Sequence, residues 1–181
     1  MKNKEIKVHQ NTFKFKAIEN IAAYFDMRKI DYYVKQKENE EEIITEINIT
    51  KGPNILLHYY CYLRDHDVTL TATLITGIPD NRRAAVLEAC NDVQNGFCPF
   101  TFYIDFDNNL NMNYEFLFAF PKESIGNIAF ELRSIASSIL YQLYPDLMEA
   151  LNNDDYKSAG LDETLRSIRA ITKKIREKET E

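Results

Sequence analysis

Apolar side chains recur along the chain at two spacings, and the changes from one to the other divide it into elements. Phe15, Ile18, Ala22 and Phe25 fall on one helical face with Ile21 beside them, while Lys16, Glu19 and Asn20 point away. That spacing predicts an amphipathic helix of about three turns starting near Phe13. The period then drops to two. Tyr32, Val34 and Gln36 alternate with Tyr33 and Lys35; after a solvated turn KENEEE, Ile43, Thr45, Ile47 and Ile49 alternate with Glu46 and Asn48. Two antiparallel strands follow from this alternation. Lys51-Gly52-Pro53-Asn54 supplies a turn, since Pro fixes φ and Gly admits positive φ. The third strand puts Ile55, Leu57, Tyr59, Cys61 and Leu63 on one face and Leu56, His58, Tyr60 and Tyr62 on the other, so it is expected in the middle of the sheet. Val68, Leu70, Ala72 and Leu74 alternate with Thr69, Thr71 and Thr73 in a fourth strand with one dry and one wet side.

Gly77-Ile78-Pro79 closes this run, and Asp80 or Asn81 is placed to cap a helix carrying Val86, Leu87, Cys90 and Val93 that stops at Asn95-Gly96. A second hairpin sets Phe100, Phe102, Ile104 and Phe106 on one face, with Leu110, Met112, Tyr114, Phe116 and Phe118 repeating the pattern beyond its turn. From about Glu123, Ile125, Ile128, Leu132, Ile135, Ile139, Leu143 and Leu147 recur at threes and fours, predicting a long helix across the sheet in which Pro145 kinks the axis or opens a new turn. The chain thus divides into a loose polar arm over 1–12, a domain over 13–151, and a linker with an amphipathic helix over 152–181 whose narrow stripe is Leu161, Leu165, Ile168, Ile171 and Ile175. The fold expected is α+β: helix, four strands, helix, two strands, long helix and C-terminal helix, with a mostly antiparallel sheet packed by helices.

Composition supports this. With 181 residues, 45% hydrophobic and 12% aromatic, the chain can bury a substantial core without disulfides or metals. The formal net charge of −6 opposes bulk attraction to nucleic acid or anionic lipid. No apolar run reaches the roughly 18 residues of a membrane span, and the N-terminus MKNKEIKVHQNTFKFK lacks the apolar centre of a signal peptide. A cytoplasmic protein is expected. Cys61, Cys90 and Cys98 lack a C-x-x-C pairing and suit buried thiols in a reducing compartment.

Chemical motifs are few. Asp105, Asp107, Asn109 and Asn111 stand at every second position, as at the start of an EF-hand loop, but Leu110 occupies the place of the turn glycine and Phe116 that of the bidentate glutamate. A tight hairpin turn accounts for Asp107, Asn108 and Asn109 without metal, because Asn and Asp tolerate left-handed φ. His58, Cys61, Asp65, His66 and Asp67 form a second constellation, yet residues 58 and 61 face opposite sides of a strand. There is no G-x-S-x-G elbow, H-E-x-x-H, Walker loop or G-x-G-x-x-G, and the five glycines are isolated. Arg166, Arg169, Lys173, Lys174, Arg176 and Lys178 line the last helix opposite its stripe, read as a solvated face or a surface for RNA or an acidic partner.

The segment NRRAAVLEACNDVQNGFCPFTFYIDFDNNLNMNYEFLF, entered from a strand and followed by a long apolar-periodic helix, resembles the YbjN-like family of bacterial proteins, within a wider group called sensory transduction regulators. The resemblance covers roughly residues 13–150, through the Asn91 to Asn95 helix end and the acidic turn Asp105 to Asn109. The glycine common in that turn is replaced by Asn108 or Asn109, and the helix beyond residue 152 has no counterpart. The resemblance implies a fold like that of type III secretion chaperones, often homodimeric, binding protein segments without catalysis or cofactor.

The sheet also has more apolar positions than one layer of helices covers, and large exposed apolar patches mark partner surfaces. Tyr60, Tyr62, Tyr103 and Tyr114 are the expected dimer or partner contacts, each offering apolar area with a polar tip. Leu161, Leu165, Ile168 and Ile175 form a candidate interaction helix. The leading expectation is a non-enzymatic, dimeric module that docks a segment of a protein partner. A small-ligand sensor or enzyme would instead hold a polar pocket between sheet and helix, containing His58 or Asp105. A third reading places nucleic acid on the C-terminal helix.

Overall fold

A computed structural model describes residues 13–50, 52–62, 68–94, 98–115 and 124–156. The elements run α1 Lys16–Arg28, β1 Tyr32–Lys37, β2 Glu40–Asn48, β3 Asn54–Tyr62, β4 Val68–Ile75, a short 3-10 turn Asp80–Arg82, α2 Arg83–Gln94, β5 Thr101–Ile104, β6 Leu110–Glu115 and α3 Ile125–Asn152. The six strands form one sheet in the order β1-β2-β3-β4-β6-β5, and every pair is antiparallel. The fold is therefore α+β, and β3 lies inside the sheet as its two-sided apolar pattern requires.

Register decides which side chains share a face. Ile43 pairs Tyr59 and Ile47 pairs Ile55; Tyr59 in turn meets Leu70 and Cys61 meets Val68. Leu70 opposes Tyr114 and Ala72 opposes Met112, and Phe102 completes the row against Met112. These residues join Ile18, Ile21 and Phe25 of α1, Val86 and Cys90 of α2, and Leu132, Leu140, Leu143 and Leu147 of α3 in one core. All three helices thus lie on a single side of the sheet. Inside that core the Tyr59 hydroxyl donates to the Ala129 carbonyl at 2.9 Å, and the Phe25 ring meets Tyr59 edge-on at 5.7 Å. Tying one buried hydroxyl to a helix backbone removes a desolvation cost of about 1–3 kcal/mol that an unpaired group would carry.

Several expectations need correction. The KENEEE stretch is not a solvated turn: only Glu38 and Asn39 lie between the strands, and β2 already begins at Glu40. Glu41 and Glu42 are 0% and 4% exposed. Glu41 points to the helix side, where its carboxylate accepts the backbone N–H groups of Lys14 at 3.1 Å and Phe15 at 3.0 Å and the Gln36 amide at 2.5 Å. A charge at the entry to α1 is thereby hydrogen-bonded on both oxygens and opposes the helix's positive end. In α3 the buried side runs through Ala129, Leu132, Ala136 and Leu140, and Ile135 is exposed at 38%. The close neighbours of α3 are α1 and α2, and Ile135 lies on the side turned away from the core. Pro145 lies within α3, which continues to Asn152. Pro79, not Asp80, is the N-cap of the 3-10 turn, and the Asp80 carboxylate accepts from the Asn108 amide at 3.5 Å. Phe106 lies in the β5–β6 turn, fully exposed. Cys61 and Cys90 are buried and Cys98 half-buried, all as free thiols. Burial raises the Cys90 thiol to about 12, so it is no nucleophile at neutral pH.

Gly126 fixes how α3 meets α1. A Cβ there would lie 2.5 Å from the Asn20 carbonyl oxygen and 2.6 Å from the Tyr24 Cβ. Beside this approach Arg28 stacks over the Tyr24 and Phe130 rings at 5.3 and 5.1 Å, and the Tyr24 hydroxyl donates to Asn127 at 2.7 Å. Gly126→Ala is expected to push the helices apart and cost about 1–3 kcal/mol. Urea denaturation would show it as a lower midpoint with an unchanged slope; an unmoved midpoint refutes the tight contact.

Candidate functional site on the open face of the sheet

Reversing the alternation gives the other face, which no described helix covers. Across it Tyr33 pairs Ile44, Ile44 pairs His58, and His58 pairs Thr71. One row on, Lys35 opposes Glu42, Glu42 opposes Tyr60, and Tyr60 opposes Thr69. Glu40 opposes Tyr62 and Glu46 opposes Leu56 along the same pair of strands. An apolar and aromatic track therefore runs down β3, with carboxylates beside it on β2 and threonines on β4.

The rings on β3 form a ladder. His58 stacks on Tyr60 with centroids 5.8 Å apart and planes 11° apart, and Tyr60 stacks on Tyr62 at 5.7 Å and 21°. Alternate residues of a strand project to the same side, and the pleat spaces them for such contacts. The Glu42 carboxylate holds His58 Nδ1, and the Tyr60 hydroxyl lies 3.4 Å from the same nitrogen. Burial, and then the negative charge of Glu42, push the Tyr60 phenol well above its ordinary range; burial and then Glu40 raise Tyr62. Both hydroxyls remain protonated donors at neutral pH. Tyr33, Leu56, Tyr62 and Tyr103 are exposed at 37%, 38%, 45% and 44%.

The β4–β6 half of the face is polar and satisfies itself. The Thr73 hydroxyl donates to Asn111 at 2.8 Å, and the Asn111 amide donates to Asp105 at 2.8 Å. Asp105 also accepts the backbone N–H groups of Asp107 and Asn109, each at 2.9 Å. Asn108 takes a left-handed φ of 61°. The acidic stretch is thus a hairpin turn wound around one carboxylate, whose oxygens face donors belonging to the turn. Among the described residues no group of three or more His, Cys, Asp or Glu could hold a metal ion.

Tyr60, Tyr62 and Tyr103 share the open face, while Tyr114 does not. It pairs with Leu70, meets Phe100 edge-on at 6.1 Å and packs against the core, because residues 110, 112 and 114 share the helix side. His58 lies on the open face and Asp105 at a turn, so neither lies between sheet and helices, and Cys61 faces the core away from His58. Sequence reasoning missed Tyr33, Ile44 and the Glu42–His58 pair. The signal was the two-residue loop Glu38-Asn39, which sets Lys37 opposite Glu40 and fixes every later pairing. Leu161, Leu165, Ile168 and Ile175, the arm over 1–12, Leu63, Asp65 to Asp67, Phe116 and Phe118 lie outside the described residues.

No described helix is long and apolar enough to cross a membrane. No family model matches the chain, and no curated protein does. Among solved structures, an uncharacterized protein from Methanothermobacter thermautotrophicus is similar at 13% identity and a TM-score of 0.49, over 75% of this chain and 99% of that one.

Asp105 provides a test of the turn. The backbone N–H of Asn109 and, after it, the amides of Asn111 and Asn109 and the Asp107 N–H hold its carboxyl below the usual range. A depressed folded pKa stabilises above the unfolded value of about 3.9 and ceases to do so as pH falls through the folded one. Asp105→Asn should lower the thermal midpoint at pH near 7, with the gap to wild type closing below about pH 4. Equal midpoints at neutral pH would show that the turn does not depend on this charge.

Proposed function

We propose that the protein is a non-enzymatic binding module that docks a segment of another polypeptide along the β3 track of its open sheet face. The observation that carries this reading is that Tyr33, Leu56 and Tyr62 on β1 and β3, and Tyr103 on the edge strand β5, are exposed large side chains on that one face. Tyrosine combines rigid apolar area with a hydroxyl that keeps a partner, and such residues supply most of the binding energy at protein interfaces. The raised Tyr60 and Tyr62 phenols serve as donors to backbone carbonyls or carboxylates. Glu40, Glu42, Glu46 and Glu115 share this face by register, which repels phosphate and favours a segment with basic flanks. The resemblance to YbjN-like proteins points to the same class of function.

Capture from native lysate compares the wild-type chain with Tyr62→Asp/Tyr103→Asp and with Met27→Asp, a control at an exposed position on α1. At least one protein should be held equally by wild type and control and fall about tenfold with the double variant, a loss of about 1.4 kcal/mol. Identical sets from all three would refute docking on this face.

A further inference from the structure

Two residues on the open face are more deeply buried than an uncovered sheet surface accounts for. Ile44 is 0% exposed and Glu42 is 4% exposed, yet the three described helices pack on the opposite side of the sheet. An isoleucine in the middle of a one-layer surface keeps part of its area in water unless something lies on it.

The sequence offers an occupant of matching shape and charge. Residues 161–178 carry the apolar stripe Leu161, Leu165, Ile168, Ile171 and Ile175, and between residues 164 and 178 the basic Arg166, Arg169, Lys173, Lys174, Arg176 and Lys178 face a single acid, Glu177. As a helix, 161–178 would be about 27 Å long. The nine-residue β3 is about 30 Å long. On a helical projection Arg169 and Arg176 lie two turns apart on one flank of the stripe, where β2 presents Glu42 and Glu40.

The route is short. The described chain ends at Tyr156, close behind Asn153 and Asp154, both held by Arg82, at the end of the sheet where Ile78 N–H meets the Asn108 carbonyl at 2.8 Å. A helix starting there runs toward the far end, where Glu40 opposes Tyr62 and Glu115 opposes Thr69.

We propose that the chain's own C-terminal segment, residues 161–178, docks as an amphipathic helix on the open face, laying its stripe along Leu56, Ile44, Tyr60 and Tyr62 with its basic flank on the β2 carboxylates. This rests on reading that face as a polypeptide-docking surface, and it makes the tail an intrachain competitor of any partner. The tail covers the face at rest, and a partner displaces it.

Carbodiimide cross-linking of the full chain tests this, using an equal mixture of unlabelled and nitrogen-15-labelled protein and peptide mass spectrometry. Links from Lys173, Lys174 or Lys178 to Glu40, Glu42 or Glu115 should appear without mixed-isotope pairs, and Leu165→Asp/Ile168→Asp should reduce them about tenfold or more. The absence of such links in wild type, or their survival in the double variant, overturns the proposal. Mixed-isotope pairs alone also overturn it and assign the face to a second copy. Lysate capture separates the two readings. If the tail docks and the face also serves partners, Leu165→Asp/Ile168→Asp raises capture of the face-dependent proteins. Intrachain links with capture indifferent to Tyr62→Asp/Tyr103→Asp would keep the tail's seat and sink the partner reading alone.

Discussion

Among the described residues the sheet buries only one of its faces under helices, and the rest of the described structure follows from that asymmetry. Antiparallel sheets permit it because side chains alternate sharply between faces and hairpin connections need no crossover layer. On the dry side the β2 to β6 rows present Ile, Leu, Val, Tyr, Cys and Met to α1, α2 and α3, and the cost of ordering the chain is met there. The other side carries charges, rings and hydroxyls in an order set by register.

Two adjacent glutamates show how the faces treat the same chemistry differently. Glu41 turns to the helix side and spends its charge on the backbone N–H groups that lead into α1, an internal task that leaves nothing for a ligand. Glu42, one residue on, turns to the open side and holds His58 beneath the stacked Tyr60. A buried carboxylate tolerates desolvation only when hydrogen-bonded or paired, and each of these finds a different solution one residue apart. Glu41 belongs to the fold, whereas Glu42 belongs to the open face.

Much of this was legible in the sequence. Alternation placed all six strands, and the helical period found all three described helices, because burial on one side imposes those periods directly on composition. Three kinds of detail were not legible. Glu40, Glu41 and Glu42 read as solvated turn because charge dominates a single-sequence view, while their pairing partners Tyr62, Gln36 and Tyr60 come from neighbouring strands. Ile135 reads as core because isoleucine outranks alanine in hydrophobicity, although Ala129 and Ala136 are the buried positions. Tyr114 was taken as a surface contact by residue type, when its own alternation with Leu110 and Met112 already set it inward. For the glutamates the missing information was a partner on a neighbouring strand, whereas for Tyr114 the local alternation carried it.

The open face is itself divided, and the division narrows where a second polypeptide can gain energy. Across β4 to β6, Thr73, Asn111 and Asp105 bond to one another and to the turn, so a docking segment finds few unspent polar groups there and little apolar area apart from Tyr103. Across β1 to β3 the rings of Tyr33, His58, Tyr60 and Tyr62 and the side chain of Leu56 adjoin a line of β2 carboxylates. Apolar contact supplies affinity and the charge line supplies orientation. A segment lying along β3 meets both at once, whereas one crossing the strands would lay half its length on a surface that has already satisfied itself.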